Sequence, residues 1–122
     1  MTESAIILVE SDLAVCDAFQ AFAQSVGHVF LQYASLERAI ENAVPGATDI
    51  LVADLSRLED VLPFLDWRNA LPVPPRTLIL TAHSPATLAR RIGAVAGVDI
   101  LTKPLAAADL LAALESQGGT GE

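Results

Sequence analysis

Three stretches of the chain are apolar at every position, and each runs into a residue that can do chemistry. Ala5-Ile6-Ile7-Leu8-Val9 meets Glu10, Ile50-Leu51-Val52-Ala53 meets Asp54, and Leu78-Ile79-Leu80 meets Thr81. A half-exposed strand alternates apolar and polar residues, so unbroken runs call for strands covered on both faces, the condition of a parallel sheet between helices. Ligands of such sheets bind just beyond the carboxyl ends of the strands, which is where Asp54 stands. A lone Asp at that place more often opens a loop or caps a helix. The other strand ends reverse that weighing.

The rest of the chain alternates between the two kinds of signal. After the first run, Ser11 or Asp12 is placed as an N-cap, Cys16, Phe19, Ala23 and Val26 recur at helical spacing, and Gly27 can stop the helix. His28 to Ala34, with Val29, Phe30, Leu31 and Tyr33, has the composition of an edge strand. Ser35 caps a short helix facing inward through Leu36, Ala39, Ile40 and Ala43, until Pro45-Gly46 ends it. Beyond Asp54, Leu55 to Asp60 reads as a loop. Val61, Leu62, Leu65 and Leu71 mark a third helix, with Pro63 tolerated in its first turn. Thr77 to Leu80 is the fourth strand, and Ser84-Pro85 opens a fourth helix through Leu88, Ile92 and Val95. Gly97 to Thr102 forms a fifth strand that delivers Lys103-Pro104, and a last helix is expected from Ala107 to Ser116. Strands alternating with helices at this spacing pair in parallel through right-handed crossovers. The predicted fold is α/β, a flavodoxin-like (βα)5 three-layer sandwich with sheet order 2-1-3-4-5. One domain is expected over residues 1–116, with a flexible tail at 117–122.

Composition narrows the function classes. A chain of 122 residues that is 52% hydrophobic and 18% charged can bury a core and is not disordered. No apolar run reaches the length of a membrane span, and Met1-Thr2-Glu3-Ser4 lacks the basic start of a signal peptide, so a soluble, cytoplasmic protein with no membrane partner is expected. A net charge of −8 argues against nucleic-acid binding by this domain. Cys16 has no second cysteine to pair with and falls in an apolar helical pattern, so it belongs to the core, and His28 and His83 do not make a zinc-type cluster. No Gly-rich turn follows the first strand, which disfavours a nucleotide binder.

In the predicted order strands 1, 3 and 4 are neighbours, so Glu10, Asp54 and Thr81 emerge side by side, and Lys103 arrives from strand 5. Acids, a hydroxyl and an ammonium at adjacent strand ends are the parts of a phosphoryl site. With Ile7 to Asp12, Ile50 to Asp54, Leu78 to Ala82 and Asp99 to Leu105 in this order, the chain resembles the receiver domains of two-component response regulators from Ile6 to about Leu114. The resemblance implies that Asp54 is the phosphoacceptor. It implies further that Thr81 hydrogen-bonds the phosphoryl oxygens, that Lys103 pairs with Asp54, and that Mg²⁺ is held by Glu10, Asp54 and the Ser56 carbonyl. Thr81 and the residue at Ile100 are the switch positions of the family. The implied partners are a histidine kinase or phosphotransfer protein and a downstream protein, or a second copy, on the face of the fourth helix, fifth strand and last helix. Ala94, Val95, Ala96, Leu105, Ala106 and Ala107 make that neighbourhood apolar.

Three departures from the family, the last of them small, qualify the resemblance. Ser11 stands where a second acid usually ligates Mg²⁺, which weakens metal binding, with Asp12 able to substitute only if its loop moves. Ile100 stands where an aromatic ring usually swings inward, which blunts that readout. Leu58 replaces a frequent proline. The leading expectation is a non-enzymatic receiver that accepts phosphate on Asp54 and signals by contact. The alternative is a phosphorylation-independent pseudo-receiver acting as a constitutive interaction module.

Overall fold

The computed structural model describes residues 4–93, 95–103 and 112. In chain order these form β1 Ala5–Val9, α1 Leu13–Ser25, β2 Val29–Tyr33, α2 Leu36–Asn42, β3 Ile50–Asp54, α3 Val61–Asn69, β4 Arg76–Thr81, α4 Pro85–Ile92 and β5 Val98–Thr102. A 3₁₀ turn at Leu58–Asp60 precedes α3, within the stretch expected to be loop. All pairings are parallel, in one five-stranded sheet of order 2-1-3-4-5. The expected last helix apart from residue 112, and the tail, with Ala94, Leu105, Ala106 and Ala107, lie outside the described residues.

The unbroken apolar runs are strands sandwiched on both sides. Every residue of β1 is buried, as are Ile50 to Ala53 in β3 and Thr77 to Thr81 in β4. Because successive side chains of a strand alternate between faces, Ile6, Leu8, Ile50, Val52, Leu78 and Leu80 meet α1, whose Cys16, Phe19, Phe22 and Ala23 are buried. Ile7, Val9, Leu51, Ala53 and Ile79 meet Ala39, Val61, Phe64, Leu65 and Leu88 from α2, α3 and α4. Cys16 is a core residue, and burial pushes its thiol above the ordinary range, so it stays protonated.

The helix boundaries follow the local chemistry. Asp12 is the N-cap of α1, its Oδ1 accepting from the N–H groups of Ala14 at 2.9 Å and Val15 at 3.4 Å. Gly27, at φ 77°, turns the chain after that helix in the left-handed region open to glycine. Ser35 and Ser84 cap α2 and α4, and Pro85 occupies the first position of α4.

Several inward faces are corrected. Val26 is 45% exposed because α1 ends at Ser25 and the chain turns outward there, and Phe22 takes its place in the core. Ile40 faces solvent on α2. On α3 the buried stripe is Val61, Phe64, Leu65 and Arg68, spaced i, i+3, i+4 and i+7, while Leu62 is 44% exposed and Leu71 lies past the helix end. Val95 lies beyond α4, which ends at Ile92 before Gly93, yet packs against the core as a partly buried residue. Arg68 occupies a core position because its planar head is met by acceptors. Nε donates to Thr77 Oγ1 and Nη2 to the Pro75 carbonyl, both at 2.9 Å, and Nη1 donates to Asn69 Oδ1 at 2.8 Å.

Candidate functional site

Strand register determines which side chains meet at the carboxyl edge of the sheet. Val9 pairs with Ala53, so the next residues, Glu10 and Asp54, leave the sheet side by side. By alternation both follow the same face, Glu10 after Ile6 and Leu8, Asp54 after Ile50 and Val52. Asp54 pairs with Leu80 and Thr81 with Thr102, which sets Thr81 and Lys103 one step further along. The Lys103 amide donates to the Thr81 carbonyl at 2.7 Å and the Leu55 amide to the Leu80 carbonyl at 2.9 Å, locking the loops that leave these strands.

The predicted group of Glu10, Asp54, Thr81 and Lys103 is assembled. Asp54 Oδ2 forms an ion pair with Lys103 Nζ, the Asp54 side chain being 8% exposed and that of Lys103 36%. Glu10 lies within hydrogen-bonding reach of Asp54. Its Oε2 accepts from the N–H groups of Ser11 and Asp12, each at 2.9 Å, while its Oε1 is buried without a hydrogen-bond partner. Burial, then the neighbouring Asp54 carboxylate, hold the Glu10 carboxyl above the ordinary carboxylate range, against the lowering pull of those amides.

That shift sets a pH dependence. A carboxyl whose folded-state pKa is raised adds no penalty below its ordinary value of 4.5, and the folded state becomes progressively less favoured as pH rises from there through the raised value. Glu10→Gln is therefore expected to raise the thermal midpoint at neutral pH in EDTA-containing buffer, and to lose that advantage below pH 4.5. Midpoints compared across that range check it; an advantage that persists in acid contradicts it.

Two carboxylates, one with an orphaned oxygen, fit a divalent cation, since Mg²⁺ takes few protein ligands and keeps several waters. Among the described residues no group of three or more His, Cys, Asp or Glu side chains is arranged as a metal site. The Ser56 carbonyl, expected to be one, receives a hydrogen bond from His83 Nε2 at 3.1 Å. Asp12 caps α1 through its Oδ1, and Ser11 is exposed. A cleft of about 410 Å³ runs from Glu10, Asp54 and Ser56 towards Ser35 and Arg57. Arg57 pairs with Glu59 at 3.2 Å and Asp60 at 3.9 Å.

Thr81 is fully buried, and its Oγ1 accepts from the His83 N–H at 3.1 Å. Ile100 is partly buried, opposite Ile79 in the register, and packs against the α2–α3–α4 side of the core as a fixed aliphatic contact. Leu58 is partly buried in the 3₁₀ turn. Sequence reasoning missed His83. Its one signal is its place two residues after Thr81, in a loop that leaves the same edge of the sheet.

No protein-family model and no curated protein matches the chain. Solved structures do. A response regulator from Thermotoga maritima aligns over 98% of this chain and 100% of its own at 17% identity, with a TM-score of 0.72. The signal receiver domain of a Luxo repressor protein from Vibrio parahaemolyticus aligns over 97% and 92% at 22% identity, TM-score 0.71. A protein described as a transiently phosphorylated switch in bacterial signal transduction aligns over 98% and 97% at 19% identity, TM-score 0.71. With the sheet order and the strand-end residues already in place, these matches identify the chain's architecture as the receiver-domain fold of two-component response regulators.

Proposed function

We propose that this domain takes a phosphoryl group onto Asp54 from the phosphohistidine of a histidine kinase or phosphotransfer protein, and passes the signal on by protein contact. The observation that carries this reading is the Lys103–Asp54 ion pair at the end of a central strand, with the Glu10 carboxyl in reach and Thr81 on the next strand. A buried carboxylate there is a nucleophile. Its oxygen forms a bond to phosphorus as the donor's P–N bond breaks, and the electron pair leaves with the imidazole nitrogen. Lys103 loses its carboxylate partner and turns to the phosphoryl oxygens, which the Thr81 hydroxyl meets by rotating out of its bond with His83. Mg²⁺, held by Glu10, Asp54 and the Ser56 carbonyl, would neutralise charge on those oxygens.

The proposed output surface is the face of α4, β5 and the last helix, used by a downstream protein or a second copy. Ile100 has no ring to swing, so a change at Thr81 reaches this face through backbone and loop movement alone. Ser11, a neutral exposed hydroxyl, favours the second reading, a domain that binds its partner regardless of phosphate.

Beryllofluoride with Mg²⁺ tests the first reading. It is expected to shift the amide resonances of Thr81, His83 and Lys103, and unchanged spectra at millimolar Mg²⁺ count against a live acceptor. If Ser11 is what weakens the metal site, Ser11→Asp should tighten Mg²⁺ binding on the order of tenfold, since a carboxylate ligand replaces a hydroxyl. A titration followed by the amide of Arg57 measures this, and an unchanged dissociation constant sinks the attribution to Ser11.

A further inference from the structure

The loop that leaves β4 folds back on itself, the His83 N–H donating to Thr81 Oγ1 at 3.1 Å, and so directs the imidazole towards the loop that leaves β3. There His83 Nε2 lies 3.1 Å from the Ser56 carbonyl oxygen, across 27 residues of chain. A carbonyl only accepts, so Nε2 carries the hydrogen and donates. The bond ties together the two loops that flank Asp54, and it occupies the oxygen that the proposed function gives to the cation.

We propose that His83 is a positioning residue that competes with the divalent cation for the Ser56 carbonyl, keeping the phosphoacceptor site at low metal affinity until this bond is released. The inference rests on the reading of Asp54 as a Mg²⁺-dependent phosphoacceptor. The positive end of the N–H dipole faces the lone pairs a cation would use, so the metal has to displace the donor or share the oxygen with it. Releasing a neutral hydrogen bond shifts such an equilibrium by roughly fivefold. The partly exposed ring makes the site's metal affinity responsive to whatever displaces it, including a docking partner.

Direct Mg²⁺ titration of wild type, His83→Ala and His83→Gln, followed by the amides of Ser56 and Arg57, tests this, with thermal melts confirming that each is folded. His83→Ala is expected to bind Mg²⁺ about fivefold more tightly, and His83→Gln, which keeps a side-chain N–H donor, to stay near wild type. Equal tightening in both variants means that ring bulk rather than the donor matters, and overturns the proposal. Unchanged or weaker binding in His83→Ala, with Asp54 still phosphorylated by acetyl phosphate, overturns it while leaving the phosphoacceptor reading intact. If no variant binds Mg²⁺ the proposal falls, and if Asp54 also takes up no phosphate the underlying reading falls with it.

Discussion

Asp54→Asn is expected to abolish covalent phosphoryl uptake from acetyl phosphate, a loss of at least about a hundredfold in rate, because an amide of the same shape is not a nucleophile towards phosphorus. The substitution keeps the volume at the end of β3, where Ile50 to Ala53 are buried, so the core has no reason to move. It removes the negative half of the pair with Lys103. That lysine side chain is 36% exposed and can return to water, which limits the cost. It also removes the charge that faces Glu10, which offsets part of that cost. The thermal midpoint should therefore change little while function disappears. Intact-mass spectrometry after incubation with acetyl phosphate and Mg²⁺ reads the result. If the variant still gains a phosphoryl group, the acceptor is another residue. If wild type gains none under any Mg²⁺ concentration, the interaction-module reading takes over.

The largest stability effect should come from Phe64→Ala, at about 4 kcal/mol. Phe64 is fully buried, lies at the centre of the inward stripe of α3, and contacts Trp67 with ring centroids 6.1 Å apart at 54°. The cluster around it includes Leu51, Ala53 and Ile79 from the central strands, which are held in register and cannot collapse into the vacated volume. Domains of this size are stable by only about 5–15 kcal/mol, so the variant should unfold at markedly lower urea. Far-UV circular dichroism is the right probe, since Trp67 fluorescence would report the local change as well as unfolding. A loss below about 1 kcal/mol would mean that α3 repacks and that its seat against the sheet is softer than the contacts imply.

The legibility of the fold followed from kind of interaction. Sheet order came from the alternation of unbroken apolar runs with amphipathic segments, because a strand covered on both faces has to be apolar at every position and its crossovers have to be helical. Ser35, Ser84 and Gly27 were legible for the same local reason, each satisfying or releasing backbone within a few residues of itself. The errors cluster where a helix ends or which side of it faces in. Val26 and Leu62 fit the helical spacing, but the packing placed Phe22 and Phe64 in the core instead.

The candidate site divides along the same line. Glu10, Asp54, Thr81 and Lys103 were readable because each ends or directly follows a strand, and parallel register carries strand ends to one edge whatever the loops do. Three features depend on contacts between different elements of the fold, and neither periodicity nor capping announces them. Arg68 is buried because Thr77 and the Pro75 carbonyl arrive from the start of β4 to meet its guanidinium. Glu10 is held above its ordinary range by burial at the sheet edge and by Asp54 beside it on a neighbouring strand. His83 meets the Ser56 carbonyl because two loops leave adjacent strands at the same edge. Periodicity and capping are written in neighbouring residues, so strands, helices and their order can be read from the chain. The partners of a buried charge or a loop carbonyl are set by which segments packing brings together, and that information exists only in the folded protein.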